Sequence, residues 1–258
     1  MKRVKWKIIE LHPLLAPLVP NTYRAYNFCG GKIFLNIRES PQMLARALGM
    51  YECNKTEAII ALLRRGMTFV DVGVNKGDFT LLGSTLVGAN GKVFCFEPEP
   101  TNCYWIRRSI DLNGYNNISL SELALGDVNG HAELYLGRKS GWHTLIPQQP
   151  ERDAGFIVVK KRTLDDFITE ICQDHVDMIK IDVEGAELQV LRGAGRTLSK
   201  NKQVVLLIDI HPRLGVNPRE VCDLLTELGF SIYQMKKPFD LPVEDYDSLS
   251  ELLAYRST

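Results

Sequence analysis

Between Thr68 and Met235 short apolar runs rich in Val, Ile, Leu and Phe alternate with amphipathic stretches of helical period, and polar residues follow each run. Gln203–Ile210 is the extreme case, almost pure Val, Leu and Ile over the length of one strand. Such a run must be covered on both faces, which points to a parallel strand between layers of helices. Strands are predicted at Thr68–Val72, Lys92–Phe96, Ile118–Leu123, Val176–Ile181, Gln203–Ile210 and Phe230–Met235. Helices are predicted at Gly77–Val87, Thr101–Asn113, Thr163–Ile171, Ala186–Leu198 and from Asn217-Pro218 to Gly229. This is a repeated βαβ unit, hence an α/β fold with a doubly wound, mostly parallel sheet. A strand at Lys32–Ile37 and a helix at Thr56–Arg65 lead into it, and two β-like segments, His131–Leu136 and Phe156–Lys161, flank an inserted loop containing Ser140-Gly141-Trp142-His143. The expected organisation is an N-terminal arm and lead-in over 1–66, a core over 67–238 and a tail over 239–258.

Length and composition narrow the class. A chain of 258 residues suits one α/β core, and 45% hydrophobic with 24% charged residues is the balance of a soluble globular protein. Lys plus Arg (31) cancels Asp plus Glu (31), which argues against a nucleic-acid partner. Residues 1–28 start basic (Lys2, Arg3, Lys5, Lys7) and carry Trp6, Ile8, Ile9, Leu11, Leu14, Leu15 and Leu18. Pro13, Pro17 and Pro20 interrupt any spanning helix, so no transmembrane segment is expected. An arm packed on its own domain is the expectation, with peripheral membrane contact as the alternative. The six cysteines include no C-x-x-C, which points to a reducing, cytoplasmic setting without disulfides or zinc. A homo-oligomer is compatible with all of this.

In a doubly wound sheet, ligands bind beyond the carboxyl ends of the strands. After the first core strand stand Asp71, Gly73, Asn75, Gly77 and Asp78, where Gly73 would admit a ligand close to the backbone and Gly77 opens a helix. A dinucleotide fingerprint needs glycines where Asn75 and Asp78 stand, and Asp78 would repel a pyrophosphate, offset in part by Lys76. A nucleoside without phosphates fits better, with Glu97, followed by Pro98, accepting hydrogen bonds from the ribose hydroxyls. The next two strands end in Asp182-Val183-Glu184-Gly185-Ala186-Glu187 and Asp209-Ile210-His211. Asp182 and Glu184 are candidate functional carboxylates, His211 has the pKa range of a base, and Glu187 is read as a residue favouring a helix N-terminus.

These motifs carry a resemblance. Asp71-Val72-Gly73-Val74-Asn75-Lys76-Gly77, Phe96-Glu97-Pro98-Glu99-Pro100, Ala124-Leu125-Gly126-Asp127, Thr163-Leu164-Asp165-Asp166, Lys180 through Glu187 and Leu191-Arg192-Gly193-Ala194 follow one another as in the FkbM family of S-adenosylmethionine-dependent methyltransferases, which the chain resembles from about Gly30 to Met235. The resemblance implies a seven-stranded, Rossmann-like class I methyltransferase sheet with its last strand antiparallel, and O-methylation of a hydroxyl on a sugar, glycoconjugate or polyketide-type small molecule. Carried over, Asp71, Gly73, Asn75 and Gly77 would surround the methionine part of S-adenosylmethionine, Glu97 would hold the ribose, and Glu122 with Leu123 would edge the adenine. The corner from Asp182 to Glu184 would lie beneath the methyl, and Glu52, after Tyr51, would close over the cofactor. Val74 departs from the family's usual Ala, and the Ser140 to His143 stretch matches only loosely.

A sugar hydroxyl is too weakly acidic to lose its proton unaided at neutral pH, so a base is expected among Asp182, Glu184 and His211, with His143 as an outside candidate. A magnesium ion on Asp182 and Asp209 beside His211 is a second route, and the less favoured one. Two rival functions share the fold: a non-catalytic binding module on the same scaffold, and a nicotinamide-dependent oxidoreductase.

Overall fold

The structure is a computed structural model that describes residues 2–138, 141–147, 153–235, 239, 241–243, 245–246 and 249–256. The chain opens with α1 (Lys2–Glu10), α2 (His12–Leu15) and a 3-10 turn at Ala16–Leu18. A hairpin of β1 (Arg24–Phe28) and β2 (Gly31–Leu35) follows, then α3 (Pro41–Ala47) and α4 (Cys53–Leu62). The core runs β3 (Thr68–Val72), α5 (Asp78–Val87), β4 (Lys92–Phe96), α6 (Pro100–Asn113), β5 (Ile118–Ser121) and a short β6 (Ala124–Leu125). The insertion is the hairpin β7 (Gly130–Gly137) and β8 (Asp153–Arg162). Then come α7 (Leu164–Glu170), β9 (Met178–Ile181), α8 (Glu187–Arg192), α9 (Gly195–Lys200), β10 (Val205–Asp209), α10 (Pro218–Glu227), β11 (Ser231–Gln234) and β12 (Glu251–Tyr255).

Seven strands form one sheet in the order β11-β12-β10-β9-β3-β4-β5. The five from β10 to β5 are parallel, and β12 runs antiparallel to both its neighbours. The parallel strands are two-sided, as their composition requires. Val70, Val72, Ile179, Ile181, Leu206 and Ile208 face a layer built from α7, α8, α9 and α10. The alternate residues Phe69, Met178 and Leu207 face α4 and α5 through Ile59, Leu63, Phe79 and Leu82. The helices start and stop where their sequence directs. Glu99 caps α6 by accepting from the Thr101 and Asn102 amides, Pro100 takes the first turn, and Gly114 ends the helix in the left-handed region. Asn217 and Pro218 do the same for α10.

Three expectations are corrected. The sheet does not finish at Phe230–Met235: β12, from the segment read as a tail, enters between β10 and β11, because Leu252, Leu253 and Ala254 are apolar enough to be fully buried on both faces. The single helix expected over Ala186–Leu198 is two helices, broken at Gly193-Ala194. A side chain at Gly193 would lie 1.9 Å from the Gly126 carbonyl oxygen, so the chain bends where it meets the root of the insertion. The lead-in contains a hairpin strand, β1, and the helix α3, capped by the Ser40 hydroxyl, that the hydrophobic pattern did not reveal. This lead-in is tied to the core: in β2 the Phe34 amide donates to the Ser109 hydroxyl of α6, and the Lys32 amide and carbonyl donate to and accept from the Asn113 side chain.

Candidate active site

The carboxyl ends of β3, β4, β9 and β10 open into a cavity of about 440 Å³, roofed by α3, α4 and the inserted loop. Apolar Phe96, Leu123, Leu125 and Leu134 line one part of it, and Glu52, Lys55, Asp182, Glu184, Asp209, His211 and Glu251 another. Among the described residues, three of the five non-glycine positions with left-handed backbone, Glu52, Asn75 and Glu184, line this cavity. Strain of that kind persists where the surrounding structure enforces a functional geometry.

The charged floor starts inside the sheet. Asp71 and Lys180 are register partners on adjacent strands, and the Lys180 ammonium lies 3.5 Å from Asp71 and 3.4 Å from Asp182. Asp71 is buried, accepts the Thr80 hydroxyl and is not in the cavity wall. Burial pushes its carboxyl up, with Lys180 acting against that. Asp71 therefore supports the site from beneath; it is not a ligand-facing residue. A second lysine, Lys55 on α4, reaches across to Asp209, to Glu52 at 3.0 Å and to Glu251 at 3.7 Å. Burial works against both ammonium groups, but the surrounding carboxylates outweigh it and hold both charged. Burial also raises the Asp182 carboxyl, yet Lys180 and Lys55 overcome that and keep it well below the ordinary range. Asp209 goes the other way, pushed up by burial and by the neighbouring Asp182.

His211 is held on one side only. Its Nδ1 donates to Glu187 Oε1 at 2.6 Å, and the same oxygen accepts the Gly185 amide, so the proton on that side is defined. The other nitrogen, Nε2, lies 3.5 Å from Glu184 and 3.9 Å from Asp182. Burial lowers the imidazole, but the Glu187 hydrogen bond and the nearby carboxylates raise it to about 9. Burial lifts Glu184 to about 7, moderated by His211. Glu187 is fully buried, with Oε2 unpartnered, so its role goes beyond favouring the helix start.

The remaining expected residues divide clearly. Asn75 and Pro98 line the cavity, as do Glu97 and Leu123. Glu97 is buried and pushed up to about 7, and it accepts the Asn75 and Glu99 amides. Oε1 also accepts the Asn102 side-chain amide at 3.3 Å, so Oε2, bonded to the Asn75 amide, is the oxygen that keeps a lone pair for a further donor. Gly73 lines the wall too, but its need for glycine comes from the protein: a side chain there would lie 1.8 Å from the Asp182 carbonyl oxygen, at φ +79. Gly77 caps α5 and lies outside the wall. Glu122 is exposed, pairs with Arg107 at 2.9 Å and does not reach the cavity, because its neighbour Leu123 takes the inward position. Asp78 is neutralised by Arg46 at 2.7 Å, and Lys76 turns to Tyr23 and Asn102 instead of a phosphate. His143 does reach the cavity, but its Nδ1 accepts the Gly137 amide, so in the neutral ring the other nitrogen carries the proton and cannot serve as a base. Ser140 lies outside the described residues, while Thr144 of the same loop donates to the Glu184 carbonyl.

Lys55, Arg46 and Glu251 were missed from sequence. Lys180 was not singled out either, although a lone charge within the apolar Met178–Ile181 is a signal that could have found it, since that strand is buried throughout. Two groups, Asp182 with Glu184 and His211, and Glu52 with Asp182 and Asp209, present ligand atoms close enough for a cation. In the second, the Lys55 ammonium already contacts Glu52 and Asp209.

A model of the methyltransferase FkbM domain matches residues 71–232. The chain is 29% identical over 159 residues to the 2-O-methyltransferase NoeI of Sinorhizobium fredii, covering 56% of this chain and 64% of that one. It is 28% identical over 203 residues to methyltransferase sdnD of Sordaria araneosa, covering 67% and 77% respectively. With the hexuronic acid methyltransferase AglP of Haloferax volcanii it shares 27% identity over 164 residues, 62% of each chain. The match to NoeI thus spans less than two thirds of that relative's length. The family match includes the cavity-lining residues from Val72 to His211, and the chain belongs to the FkbM-domain methyltransferases.

Proposed function

We propose that the protein is an S-adenosylmethionine-dependent O-methyltransferase acting on a hydroxyl of a sugar, glycoconjugate or polyketide-type metabolite. The observation that carries the chemistry is the Glu187–His211 pair, which leaves one imidazole nitrogen facing the cavity beside Asp182 and Glu184. The names of two relatives, a 2-O-methyltransferase and a hexuronic acid methyltransferase, support oxygen as the acceptor atom and a sugar-like molecule as its bearer.

The donor's requirements fit the residues present. Asn75 Oδ1 is buried without a partner in the wall, Glu97 Oε2 offers a further acceptor lone pair, and Leu123 and Phe96 supply apolar surface. Asn75, Glu97, Pro98 and Leu123 would hold the nucleoside, with Asp182 and Glu52 supplying negative charge towards a sulfonium. When bound, that donor supplies an activated methyl group, so the protein's task is to place the acceptor oxygen and remove its proton. His211 Nε2 takes the hydroxyl proton, Glu187 stabilises the imidazolium that results, and Glu184 orients the acceptor. Lys55 and Lys180 keep Asp182 ionised without a metal ion.

The test is binding of S-adenosylmethionine by calorimetry, then transfer of a labelled methyl to hydroxylated glycans and polyketides, with and without chelator. Binding, transfer independent of chelator and a loss of about 10²–10⁴-fold in kcat for His211→Gln are expected. Full turnover by His211→Gln would remove His211 as the base.

A further inference from the structure

The first eighteen residues hold Lys2, Arg3, Lys5 and Lys7 against the single acid Glu10, whereas the chain as a whole has equal numbers of basic and acidic residues. The arm is therefore the positive end of an otherwise acidic chain. It is also where apolar side chains face water. Trp6 is 50% exposed, Leu11 48%, Leu14 73% and Leu18 81%, with Ile8 and Leu15 beside them. Elsewhere among the described residues, large exposed hydrophobics are spread along the chain, which is ordinary for a protein surface.

The arm is not loose. Ile9 is buried against Ala45 and Met50, the Lys5 ammonium donates to the Leu48 carbonyl at 2.7 Å, and His12 Nε2 lies 2.7 Å from the Ile37 carbonyl oxygen. One face is fastened to α3, and the expected packing on the domain holds for that face only. The other displays a tryptophan and five aliphatic side chains beside lysine.

We propose that α1, α2 and the turn after them form a peripheral membrane anchor that docks on an anionic lipid surface. Charge complementarity selects the partner, because basic residues interleaved with apolar ones match acidic headgroups above acyl chains. Trp6 suits the boundary between the two. The anchor lies on the bilayer: no described helix is long and apolar enough to cross one. Pro13 and Pro17 break the arm into short pieces that follow a surface.

The test is flotation of the full chain with vesicles of phosphatidylcholine alone or of equal parts phosphatidylcholine and phosphatidylglycerol. The chain is expected to float with the anionic vesicles only, and less so as salt rises from about 0.1 M to 1 M. Lys7→Glu should weaken binding by about fivefold or more. Leu14→Ser with Leu18→Ser should weaken it by at least about tenfold while leaving the melting temperature unchanged, since both side chains are already in water. A chain that stays in the aqueous phase with both vesicles, or a double variant that floats like the parent, overturns the proposal. So does a dimer, seen by light scattering, that the leucine substitutions dissociate without any lipid binding, because the face would then join two copies of this chain.

Discussion

At residue scale, the informative positions are those where a side chain answers to a neighbour across the fold. Gly73 reads in sequence as a gap left for a ligand, and in the structure it is a gap left for the Asp182 backbone. Gly73→Ala adds a clash to a left-handed residue, and a loss of about 3 kcal/mol or more is expected in denaturant unfolding. His211 gives a pH signature with a definite sign. Its folded pKa of about 9 lies above the ordinary value of about 6.5. Its charge therefore contributes stability that is complete below about pH 6.5 and is lost as the pH rises through about 9. Unfolding curves across that window should show this slope for the parent and a flatter one for His211→Gln. The same deprotonation frees the base, so kcat/KM should rise with pH along a limb near 9. Glu187→Gln removes a carboxylate that holds the pKa up, so the limb should move towards neutral pH while kcat falls; an unmoved limb would show that Glu187 does not position the base.

At the scale of elements, α4 packs on the sheet through Ala58 and Ile59 and is also tied to it by charge. Lys55 spans from that helix to Asp209 at the end of β10 and to Glu251 at the start of β12. Lys55→Met leaves buried carboxylates without their cation, and a loss of about 3–5 kcal/mol is expected. Asp209→Asn in the same chain should recover much of it, which a double-mutant cycle by chemical denaturation checks; additive losses would mean the pair is not coupled. The family motif at Thr163 to Asp166 is explained by caps. The Thr163 hydroxyl accepts the Asp166 amide to start α7, and Asp165 accepts the Arg196 and Thr197 amides to start α9. Its residues hold helices in place around the cavity and touch nothing inside it.

At the scale of the whole molecule, β12 closes the sheet. Among the described strands of this sheet β11 neighbours β12 alone, and Leu252, Leu253 and Ala254 are fully buried. Ending the chain at residue 249 should abolish cooperative thermal unfolding and expose apolar surface to a hydrophobic dye; a truncated chain that melts like the parent would mean that the sheet does not depend on β12. The order of strands and helices from Thr68 to Gln234 was readable in one dimension, because burial on one or two faces writes a period of its own into the residues. The polar residues after each strand were readable for the same reason, since parallel strands deliver their carboxyl ends to one edge. That is how Glu97, Asp182, Glu184 and His211 were found. Nothing local in Glu187 distinguishes a helix-start acid from the partner of an imidazole, and nothing local in Glu122 says that it turns to Arg107. Lys55 meets Asp209 across 154 positions of chain. Which charges meet, which ring nitrogen is left free and which face of the arm stays in water depend on contacts between distant segments, and those exist only once the chain has packed.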